Sequence, residues 1–139
     1  MNQNIWLNGV MGVIIGDALG CPVQFMDRAE IADRGLVTGM EGNGTYNMPP
    51  GTWTDDGSMT LAALDSIREL KIVDLEDIMI RFVDWYEDDE YTPFGEAFDM
   101  GNACSMAIES FERDKDVKTC GGTGERSNGN GSLMRIIPA

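Results

Sequence analysis

Thr54-Asp55-Asp56 places one hydroxyl and two carboxylates side by side, following a long glycine- and proline-bearing stretch. All donors in this set are oxygen, which suits a hard cation such as Mg²⁺ or Mn²⁺ rather than zinc. The same tripeptide at a helix start is also an ordinary cap, so both readings stand at this level. Adjacent helical residues point about 100° apart, so Asp55 and Asp56 do not face each other across a sugar like the paired acids of common glycosidases. They can serve two sides of a metal cluster. A second candidate is the segment Thr119–Ser132, dense in glycine, asparagine and serine. Gly124 and Gly129 have the outer spacing of a phosphate loop, but Asn130-Gly131 stands where Lys-Ser/Thr would follow, so a nucleoside-triphosphatase loop is excluded. What remains is either a flexible turn or a loop whose N–H groups hold an anion at a helix start.

The chain contains no histidine. Ser-His-Asp triads, Cys-His dyads and imidazole metal ligands are thereby excluded. Cys21, Cys104 and Cys120 are odd in number, and no two are spaced C-x-x-C. They read as free thiols of a reducing cytoplasm rather than a disulfide framework or zinc knuckle. Ten basic against 24 acidic side chains give a net charge of −14. That charge argues against a nucleic-acid groove and against adhesion to an anionic membrane. An anionic ligand would need metal ions or N–H groups to offset it.

The positioning elements read as helices throughout. From about Asn4 to Leu19 the apolar residues leave almost no polar face, which predicts a helix buried nearly all round. Asn8, Gly9 and Asp17 interrupt it and no basic segment leads it, so it is expected to be neither a signal peptide nor a membrane span. Asp17, a carboxylate in an apolar helix, must be hydrogen-bonded or bound, and reads as a cap for a neighbouring loop. Asp27 and Glu30 form a capping-box pattern. Arg34 to Trp53 is a loop of about twenty residues, longer than compact domains usually carry. A second long helix is expected from Thr54, a third after Asp74, and a fourth over about Asp99 to Phe111. Leu133 to Ala139 resembles the first turn of another helix. With no strand alternation, the 139 residues are expected to form an all-α unit, one domain over 1–139, and an apolar ending suggests the N-terminal part of a larger one.

Taken in order, Gly16-Asp17-Ala-Leu-Gly20, Pro22-Val-Gln24-Phe25, Gly51-Thr-Trp-Thr-Asp-Asp56 with Ser58-Met-Thr60, and Asn128-Gly-Asn-Gly-Ser-Leu-Met-Arg135 resemble the ADP-ribosylglycohydrolase family over nearly the whole chain. The resemblance implies an orthogonal all-helical bundle and metal-dependent hydrolysis of the glycosidic bond between ADP-ribose and an acceptor. It implies that Thr54, Asp55 and Asp56 ligate one ion of a dinuclear Mg²⁺ or Mn²⁺ centre, with Asp55 and Asp56 the catalytic acids. Gln24 matches a position that is a glutamate in many relatives, and an amide cannot serve as a base. Ser127, Asn128, Gly129, Asn130, Gly131 and Ser132 match the family segment that binds the pyrophosphate and distal ribose. The family's late Asp-x-Asp-Thr/Ser segment has no counterpart, since no carboxylate pair follows Asp116. The expectation is therefore a partial site, active when completed by another chain, or else an inactive ADP-ribose binder or assembly fragment. Uncovered apolar surface would then favour self-association or a complementing chain.

Overall fold

The computed structural model describes residues 4–139. Five helices, α1 (Asn4–Gly20), α2 (Arg28–Arg34), α3 (Asp55–Leu70), α4 (Leu75–Asp88) and α5 (Asn102–Asp114), are joined by loops and three short 3-10 turns. Among the described residues there is no strand, only one isolated bridge between Asn43 and Met48. The all-α expectation holds.

The core lies where α3, α4 and α5 meet. Met59, Ala62 and Ala63 from α3 pack with Ile78, Met79, Phe82 and Trp85 from α4, and with Cys104, Ile108 and Phe111 from α5. Each set follows the three- and four-residue spacing that gathers side chains on one helical face. Small residues on α3 let it sit between neighbours, against α4 on one side and α1 on the other. Arg81 ties α4 back to α3 through Asp65 at 2.6 Å, Glu69 at 2.7 Å and, within α4, Asp77 at 2.9 Å.

The caps follow the local sequence. Asp27 accepts the N–H groups of Ala29 and Glu30 at 2.8 Å, and Glu30 returns the bond to the Asp27 N–H. Asp74 caps α4 through Glu76 and Asp77.

Three expectations need correction. First, α1 is not buried all round: Val10 and Ala18 are buried, whereas Ile5 (62% exposed), Leu7 (60%), Trp6, Met11 and Ile15 face outward. The helix packs on α3 and on the turn that follows it, Ile137 reaches its Gly9, and the outward residues stay open to solvent. Second, Ile5–Val23 runs 19 residues at mean hydropathy 1.4, so length and hydropathy do not exclude a membrane span as expected. Third, α5 starts at Asn102, leaving Asp99 in the preceding loop, and Leu133–Ala139 forms turns rather than an α-helix.

That last segment is nonetheless anchored. The Arg135 guanidinium lies 4.5 Å from the Phe82 ring centroid, with Nη1 at 3.2 Å from Met59 Sδ and 3.3 Å from Cys104 Sγ. The anchoring brings the glycine-rich loop alongside α5. At Gly131 a Cβ would overlap the sulfur of buried Cys104, so a larger residue would force that side chain or the loop to move.

Candidate active site

Asp17 is where the site is built. Its Oδ2 accepts the N–H groups of Thr54 and Gly57, and its Oδ1 accepts the Thr54 hydroxyl, each at 2.8 Å. Gly57 is the third residue of α3, so Asp17 takes the amide that an N-cap side chain normally takes. Thr54 does stand at the N-cap position, but its side chain makes no cap bond. Asp17 does the capping from α1 instead, as the reading of a buried cap anticipated. Burial pushes the Asp17 carboxyl above its usual range, against the lowering effect of these three hydrogen bonds.

Fixing the start of α3 sets the next two carboxylates. Asp55 is 6% exposed. Its pKa is pushed up to about 7, first by burial and then by the charges of Asp99 and Asp56. Asp56 is also raised, by burial and then by Asp17 and Asp99. Asp55 lines one cleft of about 400 Å³, together with Asp99, Gln24 and Asn130. Asp56 lines both this cleft and an adjoining one of about 480 Å³, which Asp17 and Thr54 also border. No lysine or arginine lines either cleft.

Asp99 is the residue that sequence reasoning missed. Its Oδ2 accepts from Gln24 Nε2 at 2.6 Å, and its Oδ1 accepts from the Tyr46 hydroxyl. Tyr46 is held in turn by edge-on contacts with Phe98 at 5.2 Å and Phe25 at 6.4 Å. The only local signal was a carboxylate two residues before a glycine at a helix start. Its partners lie 75 and 53 positions away along the chain.

The glycine-rich loop divides. Gly129, Asn130 and Gly131 border the carboxylate cleft. Ser127 and Gly129 border a larger cleft of about 670 Å³, beside Arg113 and Arg126. Asn128 is exposed, and Ser132 borders an apolar groove with Phe82 and Arg135. The expected helix start is a three-residue 3-10 turn, Asn130–Ser132, so no macrodipole acts there and any anion would rely on loop N–H groups.

The donor chemistry fits a divalent cation. Buried carboxylates with raised pKa values and no cationic neighbour gain most from a hard ion with oxygen ligands. The set is partial, however: among the described residues no three Asp, Glu, Cys or His side chains converge so as to hold an ion by themselves. Cys21 and Cys104 are buried and Cys120 is half-buried, all as free thiols.

Comparison with known proteins gives a consistent result. The family model described as ADP-ribosylglycohydrolase matches residues 4–139. The chain is 34% identical over 129 residues to the ADP-ribosylarginine hydrolase Tri1 of Pseudomonas putida (strain GB-1), covering 93% of this chain and 33% of that protein. It is 34% identical over 134 residues to the ADP-ribosyl-[dinitrogen reductase] glycohydrolase of Rhodospirillum rubrum, covering 96% and 42%. A solved structure titled ADP-ribosylglycohydrolase-related protein complex superposes with TM-score 0.74 and 30% identity, over 96% of this chain and 40% of that one. The chain thus spans about a third to two fifths of the length of these relatives.

Proposed function

The chain belongs to the ADP-ribosylglycohydrolase family, and from that footing we propose that it forms one wall of a site hydrolysing the bond between ADP-ribose and a protein side chain. The observation that carries this reading is the carboxylate group Asp17, Asp55, Asp56 and Asp99 around two adjoining clefts, one of which Gly129, Asn130 and Gly131 also border. By their names, these relatives act on ADP-ribosylarginine and on ADP-ribosylated dinitrogen reductase. An ADP-ribosylated arginine is accordingly the first substrate to test.

Thr54, Asp55 and Asp56 would hold Mg²⁺ or Mn²⁺, which supplies Lewis acidity and offsets the repulsion between a dianionic ligand and a −14 protein. Asp17 fixes the Thr54 hydroxyl and the first turn of α3, so the two following carboxylates keep their directions. As the glycosidic bond breaks, positive charge grows on the anomeric carbon. Asp55 and Asp99, on the same cleft, offer negative charge to that carbon. Gly129, Asn130 and Gly131, which border the same cleft, would offer neutral donors to the phosphates.

The partial ligand set favours a second reading for the chain on its own: ADP-ribose binding without turnover. Turnover would then need the elements that relatives carry beyond the matched third to two fifths. The outward apolar face of α1 is the surface we assign to self-association or to such a complementing chain. We propose a cytoplasmic setting, a reading that three free thiols support.

Calorimetry with ADP-ribose, with and without Mn²⁺, combined with an assay on an ADP-ribosylated arginine peptide, tests both readings. Cation-dependent binding supports the site. Turnover by the chain alone would overturn the binder reading, and no binding under either condition would overturn both.

A further inference from the structure

Residue 24 carries an amide beside a carboxylate, and the hydrogen bond between them requires that amide. Gln24 Nε2 donates to Asp99 Oδ2 at 2.6 Å, while the Tyr46 hydroxyl donates to Oδ1. Neutral donors from two separate turns therefore occupy both oxygens of one carboxylate. Gln24 is itself anchored, because its carbonyl accepts the Thr45 hydroxyl next to Tyr46. Asp99 adopts φ 61°, the left-handed region that non-glycine residues enter at a cost. The side-chain clamp offers a reason for that conformation to persist.

A glutamate at this position, when ionised, could only accept hydrogen bonds. It would confront Asp99 as a like charge across the same short gap and bring a fifth carboxylate to clefts already bordered by four. The amide holds Asp99 without adding charge. Among the carboxylates, Asp99 is also the neighbour that acts most strongly on Asp55.

We propose that Gln24 is a positioning residue acting through Asp99: with Tyr46, its amide aims the Asp99 carboxylate into the cleft that Asp55 and Asp56 also line. This rests on the reading of that cleft as a cation-assisted ADP-ribose site. Gln24 is thereby not a displaced base but the donor half of an amide–carboxylate pair.

Two cycles test it on the full chain. In cation-free buffer at pH 8, Gln24→Glu should lower the melting midpoint by ~3–6 °C. Adding Asp99→Asn should restore it, because the pair is then simply exchanged. Failure of either half overturns the contact. In calorimetry with Mn²⁺ and ADP-ribose, Gln24→Met should weaken ADP-ribose binding about tenfold in the parent chain. It should cost nothing more in an Asp99→Asn background. An equal loss in both backgrounds would show that Gln24 meets the ligand directly and would overturn the positioning role, as would no loss in either. A parent chain that binds neither Mn²⁺ nor ADP-ribose would sink the functional reading and the positioning role with it. The melting cycle would still decide the Gln24–Asp99 contact independently.

Discussion

Asp17 and Thr54 are joined twice, backbone N–H to Oδ2 and hydroxyl to Oδ1, both at 2.8 Å, although 37 positions separate them. Through this pair α1 supplies the cap of α3, and the direction of Asp55 depends on a helix it does not belong to. Asp17→Ala should leave the N–H groups of Thr54 and Gly57 and the Thr54 hydroxyl without their partner. A loss of about 2–4 kcal/mol in folding stability is expected, within the range for orphaned buried donors and lost caps. Urea unfolding measures it. Asp17→Asn should fall between the two, since one acceptor oxygen remains.

Asp55 gives the stability a pH dependence of definite sign. Its folded pKa of about 7 lies above its ordinary 3.8. Between those values the folded state holds more protons than the unfolded one, so stability falls as pH rises from about 4 to 7. The slope from this group approaches about 1.4 kcal/mol per pH unit within the window. Asp17 and Asp56 shift in the same direction and steepen the fall. Unfolding curves for the cation-free protein at pH 4.5, 5.5, 6.5 and 7.5 should show it, and Asp55→Asn should flatten the profile and stabilise the protein at pH 7.5. Saturating Mn²⁺ should also remove the fall near neutrality.

Gly131 lets the loop lie against α5 beside Cys104, because a Cβ there would overlap the buried Cys104 Sγ. Gly131→Ala should destabilise by about 1–3 kcal/mol, the usual cost of overpacking, and weaken ADP-ribose binding by shifting the cleft wall. Cys104→Ala in the same chain should recover most of both losses, which calorimetry and unfolding can read together.

Gly16 lies on α1 at the rim of the cleft that Asp17, Thr54 and Asp56 border. A Cβ at this position meets nothing within 4 Å. Gly16→Ala should therefore raise stability by about 0.5–1 kcal/mol through helix propensity alone.

Much of the fold was legible because core helices repeat at fixed spacing. Met59, Ala62 and Ala63 on α3, and Ile78, Met79 and Phe82 on α4, announce one face each. The cap residues Asp27 and Asp74 act on their own next turn, so local sequence suffices for them. The misread elements depend on distant partners. All-round apolarity in α1 specifies that something should cover it, not what does, and the described fold covers one side. Thr54 has the composition of a cap, but Asp17 outcompetes it from another helix. Asp99 was invisible because its role is set by Gln24 and Tyr46, and its positive φ removes it from the helix that the pattern suggested. The motif around Asp55 and Asp56 and the lack of a second carboxylate segment were both legible in the sequence, and among the described residues no three such side chains converge.

The most direct test of the Thr54-Asp55-Asp56 site is an isothermal titration of ADP-ribose into the parent chain and into Asp55→Asn, each with Mn²⁺ and again with EDTA. The expected result is binding by the parent chain in Mn²⁺ only, weakened at least about tenfold by Asp55→Asn while the fold is retained by circular dichroism. ADP-ribose binding that persists in EDTA and is unchanged by Asp55→Asn would contradict it.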